Sequence, residues 1–244
     1  MTINQKDNKI VSILAQNSVS GEQVKFEGDY FFSTMPMKDL INGLIPTPSA
    51  EVLEVANGLE YRDFVTVGIL AKKFKGTKEF KDTWLYVHEE GVKVGRIQVF
   101  NNWSPHLVQD QKNIWLGLEY FCNENDEFWT LSDAEIINIA KDEISKLGMV
   151  DREDIIDATV IKMLKTYPSY TGTYNKLHVL QEFTESIENL YLIGRNGMHK
   201  YNNQDHSMLT AMQAVDNIIN GETSKNNIWQ VNTEEEYHEE KASK

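Results

Sequence analysis

Residues 192–208 read LIGRNGMHKYNNQDHSM, and this stretch predicts a strand that turns sharply into a helix. Gly194 and Gly197 allow a turn in which no Cβ atom keeps the backbone away from a ligand. The residues before the turn are apolar, which is typical of a short buried strand. The helix predicted after the turn has a periodic apolar face made of Met208, Leu209, Met212, Val215 and Ile219.

The polar residues of this turn suggest an anionic partner. Arg195 carries a planar donor fork that suits phosphate or carboxylate. Asp205 is predicted to cap the helix, and the free backbone N–H groups at a helix start favour negative charge. The alternative interpretation is a well-capped turn without a ligand, because Asn, Asp and Ser are common at such positions.

The rest of the chain predicts an α+β protein. Runs rich in Val, Ile and aromatic residues predict an antiparallel sheet with strands near residues 64–70, 83–88, 96–100 and 114–121. Ser132 and Glu135 have the spacing of a capping box, which predicts a helix. A second helix is predicted from near Asp151 to Pro168, because apolar residues recur there at helical spacing: Ile155, Ile156, Thr159, Met163 and Leu164.

Composition narrows the functional classes. The formal charge of −13 argues against a general nucleic-acid-binding surface. Cys122 is the single cysteine, and the first residues lack the pattern of a signal peptide, so the sequence predicts a cytoplasmic protein. No stretch approaches the roughly 20 apolar residues that a membrane span needs.

Several motifs are absent. No two glycines lie two positions apart, so the G-x-G-x-x-G dinucleotide loop cannot be present. A metal site at His199 and His206 is not expected, because their spacing is not that of a helical ligand pair. A G-x-S-x-G nucleophile elbow is also absent, and no catalytic residue is identified.

A second group of candidates lies in or beside the predicted sheet. Arginines next to Trp and Asn can bind a sugar phosphate, because the guanidinium takes the oxygens and the indole covers the sugar. The alternative for any one arginine is an ordinary ion pair. These candidates are Arg62, Arg96, Asn101, Asn102 and Trp103.

The motif GRNGMHKYNNQDHSM resembles the later part of flavoproteins related to UDP-galactopyranose mutase, and more broadly the flavin amine oxidase and protoporphyrinogen oxidase group. Upstream segments support this resemblance in the same order: YFFSTMPMKDL, GLEYRDFVTVGIL, GRIQVFNNWSP and GLEYF. The resemblance covers roughly residues 10–220. In that family a substrate domain interrupts a Rossmann-like FAD domain.

The resemblance implies FAD as cofactor and a role for individual residues. Arg195 matches the arginine that contacts the FAD phosphates, and Tyr201 matches a tyrosine that reaches the substrate diphosphate in the mutases. Asn203 stands where the mutases carry an acidic residue beside the flavin, so the sequence departs from the mutases at this position. The residues expected to bind the cofactor are Gly194, Arg195, Asn203, Asp205, His206, Ser207 and Met208.

The resemblance also implies a division of the chain. Residues 1–36 are expected to return to the FAD lobe, 37–188 to form the substrate lobe, 189–222 to close the FAD lobe, and 223–244 to form a disordered acidic tail. On this resemblance, the first βαβ unit of the FAD lobe is expected to be missing from these residues. The chain is therefore expected to be a fragment of a longer enzyme, one half of a split enzyme whose partner chain carries the G-x-G-x-x-G loop, or a sugar-nucleotide-binding protein without catalysis. An enzyme of this family would be a mutase that uses reduced flavin or an oxidoreductase that takes a hydride from its substrate.

Overall fold

The computed structural model describes residues 1–76 and 80–232. Within these residues the protein mixes helices with sheets, and the predicted α+β class is confirmed. The strands are β1 (Thr2–Lys6), β2 (Lys9–Gln16), β3 (Gln23–Phe26), β4 (Phe31–Ser33), β5 (Leu44–Ile45), β6 (Leu59–Ala71), β7 (Trp84–Tyr86), β8 (Arg96–Val99), β9 (Ile114–Cys122), β10 (Ile155–Gly172) and β11 (Leu190–Leu192).

The helices of the described residues are mostly short. They are α1 (Met37–Asn42), α2 (Ala50–Asn57), α3 (Phe100–Trp103), α4 (Glu127–Thr130), α5 (Asp133–Lys146), α6 (Leu177–Glu185), α7 (Gly194–Gly197), α8 (Gln204–Asn220) and α9 (Asn226–Trp229). In the part of the chain that the structure describes, no helix combines the length and the apolar character needed to cross a membrane.

The chain divides into two compact units. Unit 1 contains Met1–Tyr61 and Tyr167–Lys244, and unit 2 contains Arg62–Thr166. These boundaries differ from the predicted substrate segment, because residues 37–61 and 167–188 belong to unit 1. The reason is that helices α1, α2 and α6 contribute Leu40, Val55 and Leu180 to one apolar core. Burial of apolar surface, rather than the order of segments, therefore defines the unit.

Unit 1 contains two small sheets. The first has the order β3–β2–β1–β5, in which β1 pairs antiparallel with β2 and parallel with β5. The second consists of β11 and β4, which run parallel with Tyr191 opposite Phe32. The carboxyl ends of β4 and β11 consequently lie at the same edge of their sheet.

Unit 2 is organised around the predicted antiparallel sheet, which is confirmed. Its strand order is β10–β6–β9–β8–β7, and β9 pairs antiparallel with both β6 and β8. Helix α5 begins with the predicted capping box of Ser132 and Glu135. Its apolar side joins the buried residues of the sheet in one cluster that includes Ile136, Ala140 and Ile144.

The helix predicted from near Asp151 to Pro168 is wrong. Residues Ile155–Gly172 form strand β10, the neighbour of β6 in the sheet. Ala158 and Val160 pack against the core of unit 2, whereas Ile161, the residue after Val160, is exposed. This two-residue alternation, together with a run of β-branched residues, favours a strand once β6 offers hydrogen-bonding partners. The spacing of the apolar residues is compatible with a helix and with a strand, and pairing with β6 favours the strand.

The disorder predicted for the end of the chain is wrong for its first part. Residues 226–229 form α9, and Ile228 is buried in the core of unit 1. Lys225 donates from Nζ to the carbonyl oxygen of Ile187 at 2.6 Å. These residues are ordered because they bury apolar surface. The glutamate-rich residues 233–244 lie outside the described residues.

Candidate functional site

The candidate site begins where the two parallel strands of unit 1 end. β4 leads into Ser33 and Thr34, and β11 leads into Ile193 and Gly194. The backbone N–H of Ile193 donates to the carbonyl oxygen of Ser33 at 3.0 Å, which joins the two strand ends. Ligands of sheets with parallel strands bind in the crevice beyond the carboxyl ends of those strands. This edge is therefore the place where a cofactor is expected.

Gly194 and Gly197 are required by the geometry of the turn. Gly194 has a φ of +74°, in the left-handed region that L side chains rarely adopt. A Cβ at Gly197 would lie 2.2 Å from the carbonyl oxygen of Ser33. The predicted close approach of backbone is thus present: the turn at Gly197 lies directly against the end of β4.

The turn also contacts the helix that follows it. The backbone N–H of Gly194 donates to Oγ1 of Thr210 at 3.0 Å. A Cβ at Gly194 would lie 3.9 Å from Cβ of Ser207 and 3.9 Å from Cγ2 of Thr34. The end of β4, the glycine turn and the first turn of α8 therefore converge within unit 1.

Arg195 is held by two aromatic rings. Its guanidinium carbon lies 4.6 Å from the ring centre of Tyr167 and 4.8 Å from that of Tyr201. The two rings are nearly parallel, with an interplanar angle of 16°. Nε donates to the carbonyl oxygen of Asn202 at 2.8 Å. This bond occupies the inner nitrogen of the guanidinium.

Helix α8 begins at Gln204, one residue before the predicted cap. Its N-cap is Asn203, and the predicted cap, Asp205, lies exposed in the first turn. Nδ1 of His206 accepts from the backbone N–H of Asn203 at 3.4 Å. The correction follows from Asn203, whose extended backbone allows its carbonyl oxygen to accept the first helical bond from Ser207 at 2.9 Å. Met208, one turn later, is 59% exposed.

His199 is buried beneath the turn. Its Nε2 lies 3.1 Å from the carbonyl oxygen of Ser169, and its ring meets that of Tyr61 edge-on at 4.8 Å. Burial lowers the pKa of His199 to about 4, against a smaller opposing effect of the Ser169 carbonyl. Burial likewise raises the pKa of Tyr61 to about 12. Both groups are neutral at pH 7 and support the turn from inside.

Some residues that hold this site were not predicted to do so. Asn232 donates from Nδ2 to the carbonyl oxygen of Tyr201 at 2.8 Å, and the Tyr170 hydroxyl accepts from the N–H of Tyr201 at 2.8 Å. The tyrosine-rich stretch 167–174 was a signal for the aromatic support of Arg195. No local pattern marks Asn232, because its partners lie 30 residues or more away in the sequence.

The sugar-phosphate candidates lie in unit 2. Arg96 and Glu119 form a buried ion pair, and the guanidinium carbon of Arg96 lies 5.3 Å from the ring centre of Trp84. Trp103 meets Trp84 edge-on at 5.6 Å. Nδ2 of Asn102 donates to the backbone oxygens of Phe80 and Asp82. Arg62 is exposed. Arg96 and Trp103 thus both contact the indole of Trp84. The interactions of Arg96 and Asn102, however, are made within unit 2 and stabilise its packing.

Known structures share this fold. The chain superimposes on reduced UDP-galactopyranose mutase with a TM-score of 0.73 at 23% sequence identity, over 95% of this chain and 49% of that one. A protein from Exiguobacterium sp. that carries an assignment as a protoporphyrinogen oxidase matches with a TM-score of 0.55 at 13% identity, over 88% of this chain and 45% of that one. A CLA-producing fatty acid isomerase from P. acnes matches with a TM-score of 0.54 at 15% identity, over 88% and 46% of the respective chains.

These matches define the class of fold. It is the fold predicted from the glycine-turn motif, that of proteins related to UDP-galactopyranose mutase and protoporphyrinogen oxidase, and the resemblance is confirmed at this level. Among the three structures reported, the mutase has the highest TM-score. The chain spans about half the length of each of these proteins. No protein-family model matches the chain.

Proposed function

We propose that unit 1 provides one wall of an FAD site, in a flavoenzyme that acts on a nucleotide-linked sugar or a similar small substrate. One observation supports this proposal above the others. The carboxyl ends of the parallel strands β4 and β11 meet a glycine turn, and that turn contacts the first turn of the 17-residue helix α8. Strand ends, close backbone and a helix start form the usual setting for a phosphate-containing cofactor.

The residues present fit such a cofactor. The backbone around Gly194 can approach a pyrophosphate, and Arg195, which contacts two aromatic rings, is proposed to donate from its outer nitrogens to the phosphate oxygens. The first turn of α8 directs backbone N–H groups toward a negative or electron-rich partner. The remaining candidates are proposed to contact the ribityl chain and the ring system of the flavin: Asn203, Asp205, His206, Ser207 and Met208.

In this proposal the chain binds and orients, and the flavin when bound supplies the redox or nucleophilic chemistry. Arg195 stabilises phosphate charge, and Tyr167 fixes the direction of its side chain through the stacked ring. His199 remains neutral and keeps the turn in place through Ser169. Unit 2 is proposed as the substrate lobe, with Arg62 and Trp103 as its substrate-facing candidates. Tyr201 is the substrate-facing candidate of unit 1. Arg96 and Asn102 support the lobe through the packing described above.

The pyrophosphate loop must come from other residues, because no two glycines of this chain lie two positions apart. We therefore propose that a G-x-G-x-x-G lobe completes the site, and that this chain alone does not carry out catalysis. A sugar-nucleotide-binding protein without catalysis is the competing proposal, and it requires nucleotide-sugar binding without flavin.

Flavin binding tests the proposal. We expect the chain together with its completing lobe to show flavin absorbance near ~450 nm. Arg195→Ala should weaken FAD binding about tenfold or more, because a charge-assisted contact to phosphate contributes roughly 1.5–3 kcal/mol. Arg152→Ala is the matched control, since Arg152 is an exposed arginine that pairs with Asp142 in unit 2. Equal affinities of the two variants would contradict the role of Arg195, and binding of UDP-sugar by a colourless complex would favour the competing proposal.

A further inference from the structure

Unit 2 contains a cavity of about 430 Å³ beside the ends of two of its strands. Val99, the last residue of β8, and Ile114, the first residue of β9, form an aliphatic wall of this cavity. Phe74 and Phe80 form an aromatic wall, with ring centres 4.8 Å apart and an angle of 55° between the ring planes. Small-molecule sites have volumes of about 300–1,000 Å³ and mostly apolar walls. The cavity therefore has the size and the lining of a ligand pocket.

Two asparagines that line the cavity hold its backbone in place. Nδ2 of Asn102 donates to the backbone oxygen of Phe80 at 2.6 Å and to that of Asp82 at 2.9 Å. These two bonds fix the backbone on both sides of Lys81. Both ends of the Asn101 amide are bonded to backbone groups of unit 2. The lining is thus ordered by hydrogen bonds within unit 2, which lowers the ordering cost of binding a ligand.

Lys81 gives the cavity a positive charge. Its side chain is exposed, and among the residues that the structure describes it has no ion-pair partner. Two nearby lysines in the sequence differ from it, because Lys73 pairs with Asp154 and Lys75 pairs with Asp151. No carboxylate of the described residues lines the cavity. One ammonium group without a carboxylate beside it favours a ligand with a single negative charge.

We propose that this cavity binds a small aromatic carboxylate, with its ring against Phe74 and Phe80 and its carboxylate at Lys81. Aromatic rings attract one another in edge-to-face and offset arrangements, which favours an aromatic ligand over an aliphatic one. A carboxylate matches one ammonium group, whereas a phosphate would leave part of its charge uncompensated. The inference goes beyond the proposed function and does not rest on it, since neither Arg62 nor Trp103 lines the cavity.

An NMR titration of the ¹⁵N-labelled full chain with indole-3-acetate tests the inference. We expect saturable binding at one site per chain. Indole-3-acetamide has the same ring without the charge and should bind about fivefold more weakly, because a single exposed charge contact contributes about that much. Acetate has the charge without the ring and should not reach saturation in the same range. Equal affinity for either control compound, or no saturable binding of indole-3-acetate, would overturn the inference.

Four variants test the two walls that the ligand is proposed to contact. Lys81→Met keeps the aliphatic stem, removes the charge and should weaken binding of indole-3-acetate about fivefold, whereas Lys81→Arg should bind it nearly as well as the wild type. Lys6→Met is the matched control, since Lys6 is an exposed lysine of unit 1. Phe80→Leu removes a ring and should weaken binding about threefold. Its control is Phe26→Leu, because Phe26 is an exposed phenylalanine of unit 1.

The location of the signals that shift decides the outcome together with the affinities. Shifts centred on residues 80–82 and 99–102, with losses of affinity confined to Lys81→Met and Phe80→Leu, would support the inference. Shifts centred elsewhere, an unchanged affinity of Lys81→Met, or an equal loss with Lys6→Met would overturn it. Circular dichroism establishes which variants are folded, and Lys81→Met decides alone if Phe80→Leu is not. The flavin proposal is tested separately by Arg195→Ala.

Discussion

The guanidinium of Arg195 lies 4.6 Å from the ring centre of Tyr167 and 4.8 Å from that of Tyr201, and the two ring centres are 6.1 Å apart. An arginine that already contacts two rings loses little further conformational freedom when it binds an anion. The two rings therefore restrict the guanidinium of Arg195 before a ligand binds. Substitution of Tyr167 can test this role, as can substitution of Arg195.

Tyr167→Leu should weaken FAD binding by the completed site roughly threefold to tenfold, because a cation–π contact of this kind contributes about 0.5–2 kcal/mol. Tyr167→Phe keeps the ring and should bind FAD nearly as well as the wild type. Flavin titration followed by absorbance measures both affinities. A loss with Phe as large as that with Leu would show that the hydroxyl, and not the ring, holds Arg195.

Gly197→Ala should destabilise unit 1 by about 1–3 kcal/mol, because the new Cβ meets the carbonyl oxygen of Ser33 in a packed backbone contact. Gly28→Ala is the control, since the nearest atom to its Cβ would be the Tyr30 carbonyl oxygen at 3.7 Å, an ordinary contact. Urea denaturation gives the free energy of unfolding of both variants. Equal stabilities would mean that the turn at Gly197 and the end of β4 do not meet as described.

The buried His199 should make the protein less stable in acid. Its pKa is lowered from 6.5 to about 4 by burial, so the unfolded chain binds a proton more readily than the folded one. The free energy of unfolding should therefore fall as the pH drops from about 6.5 toward 4, with a contribution from this residue of roughly 3 kcal/mol at most.

Denaturation at pH 7 and pH 4.5 measures this contribution. His199→Gln should be less stable than the wild type at pH 7 and should lose less stability between the two pH values, because glutamine does not titrate. If wild type and variant lose the same free energy, the acid sensitivity arises from carboxylates elsewhere and not from His199.

Glu119→Gln should cost about 3–5 kcal/mol of the stability of unit 2, because it removes the negative charge of a buried ion pair with Arg96. Asp142→Asn makes the same chemical change in the exposed pair with Arg152 and should leave stability nearly unchanged. Thermal or urea unfolding compares the two variants. A tolerated Glu119→Gln would mean that Arg96 finds its stabilisation elsewhere, which would restore it as a candidate for phosphate binding.

Much of the candidate site was predictable because its signals are local. The glycines at 194 and 197, the arginine between them and the polar run before α8 lie within a few residues of one another. The contribution of the Ser33 carbonyl, and of the Tyr167 ring, was not predictable by spacing, since each joins the site through a contact between distant parts of the chain. Ser33 entered only through the resemblance, which placed the segment STMP in the FAD lobe.

The sequence by itself determined the elements with a strong local signal, such as the capped helix α5, the strands β6–β9 of unit 2 and the strand–turn–helix at residues 190–220. Only the tertiary structure decided that residues 155–172 pair as a strand, that Arg96 forms a buried ion pair with Glu119, and that α8 exposes its apolar face. The physical reason is that periodicity reveals which residues share a face. Whether that face is buried depends on surfaces contributed from elsewhere, and for α8 the described chain covers the small polar side instead.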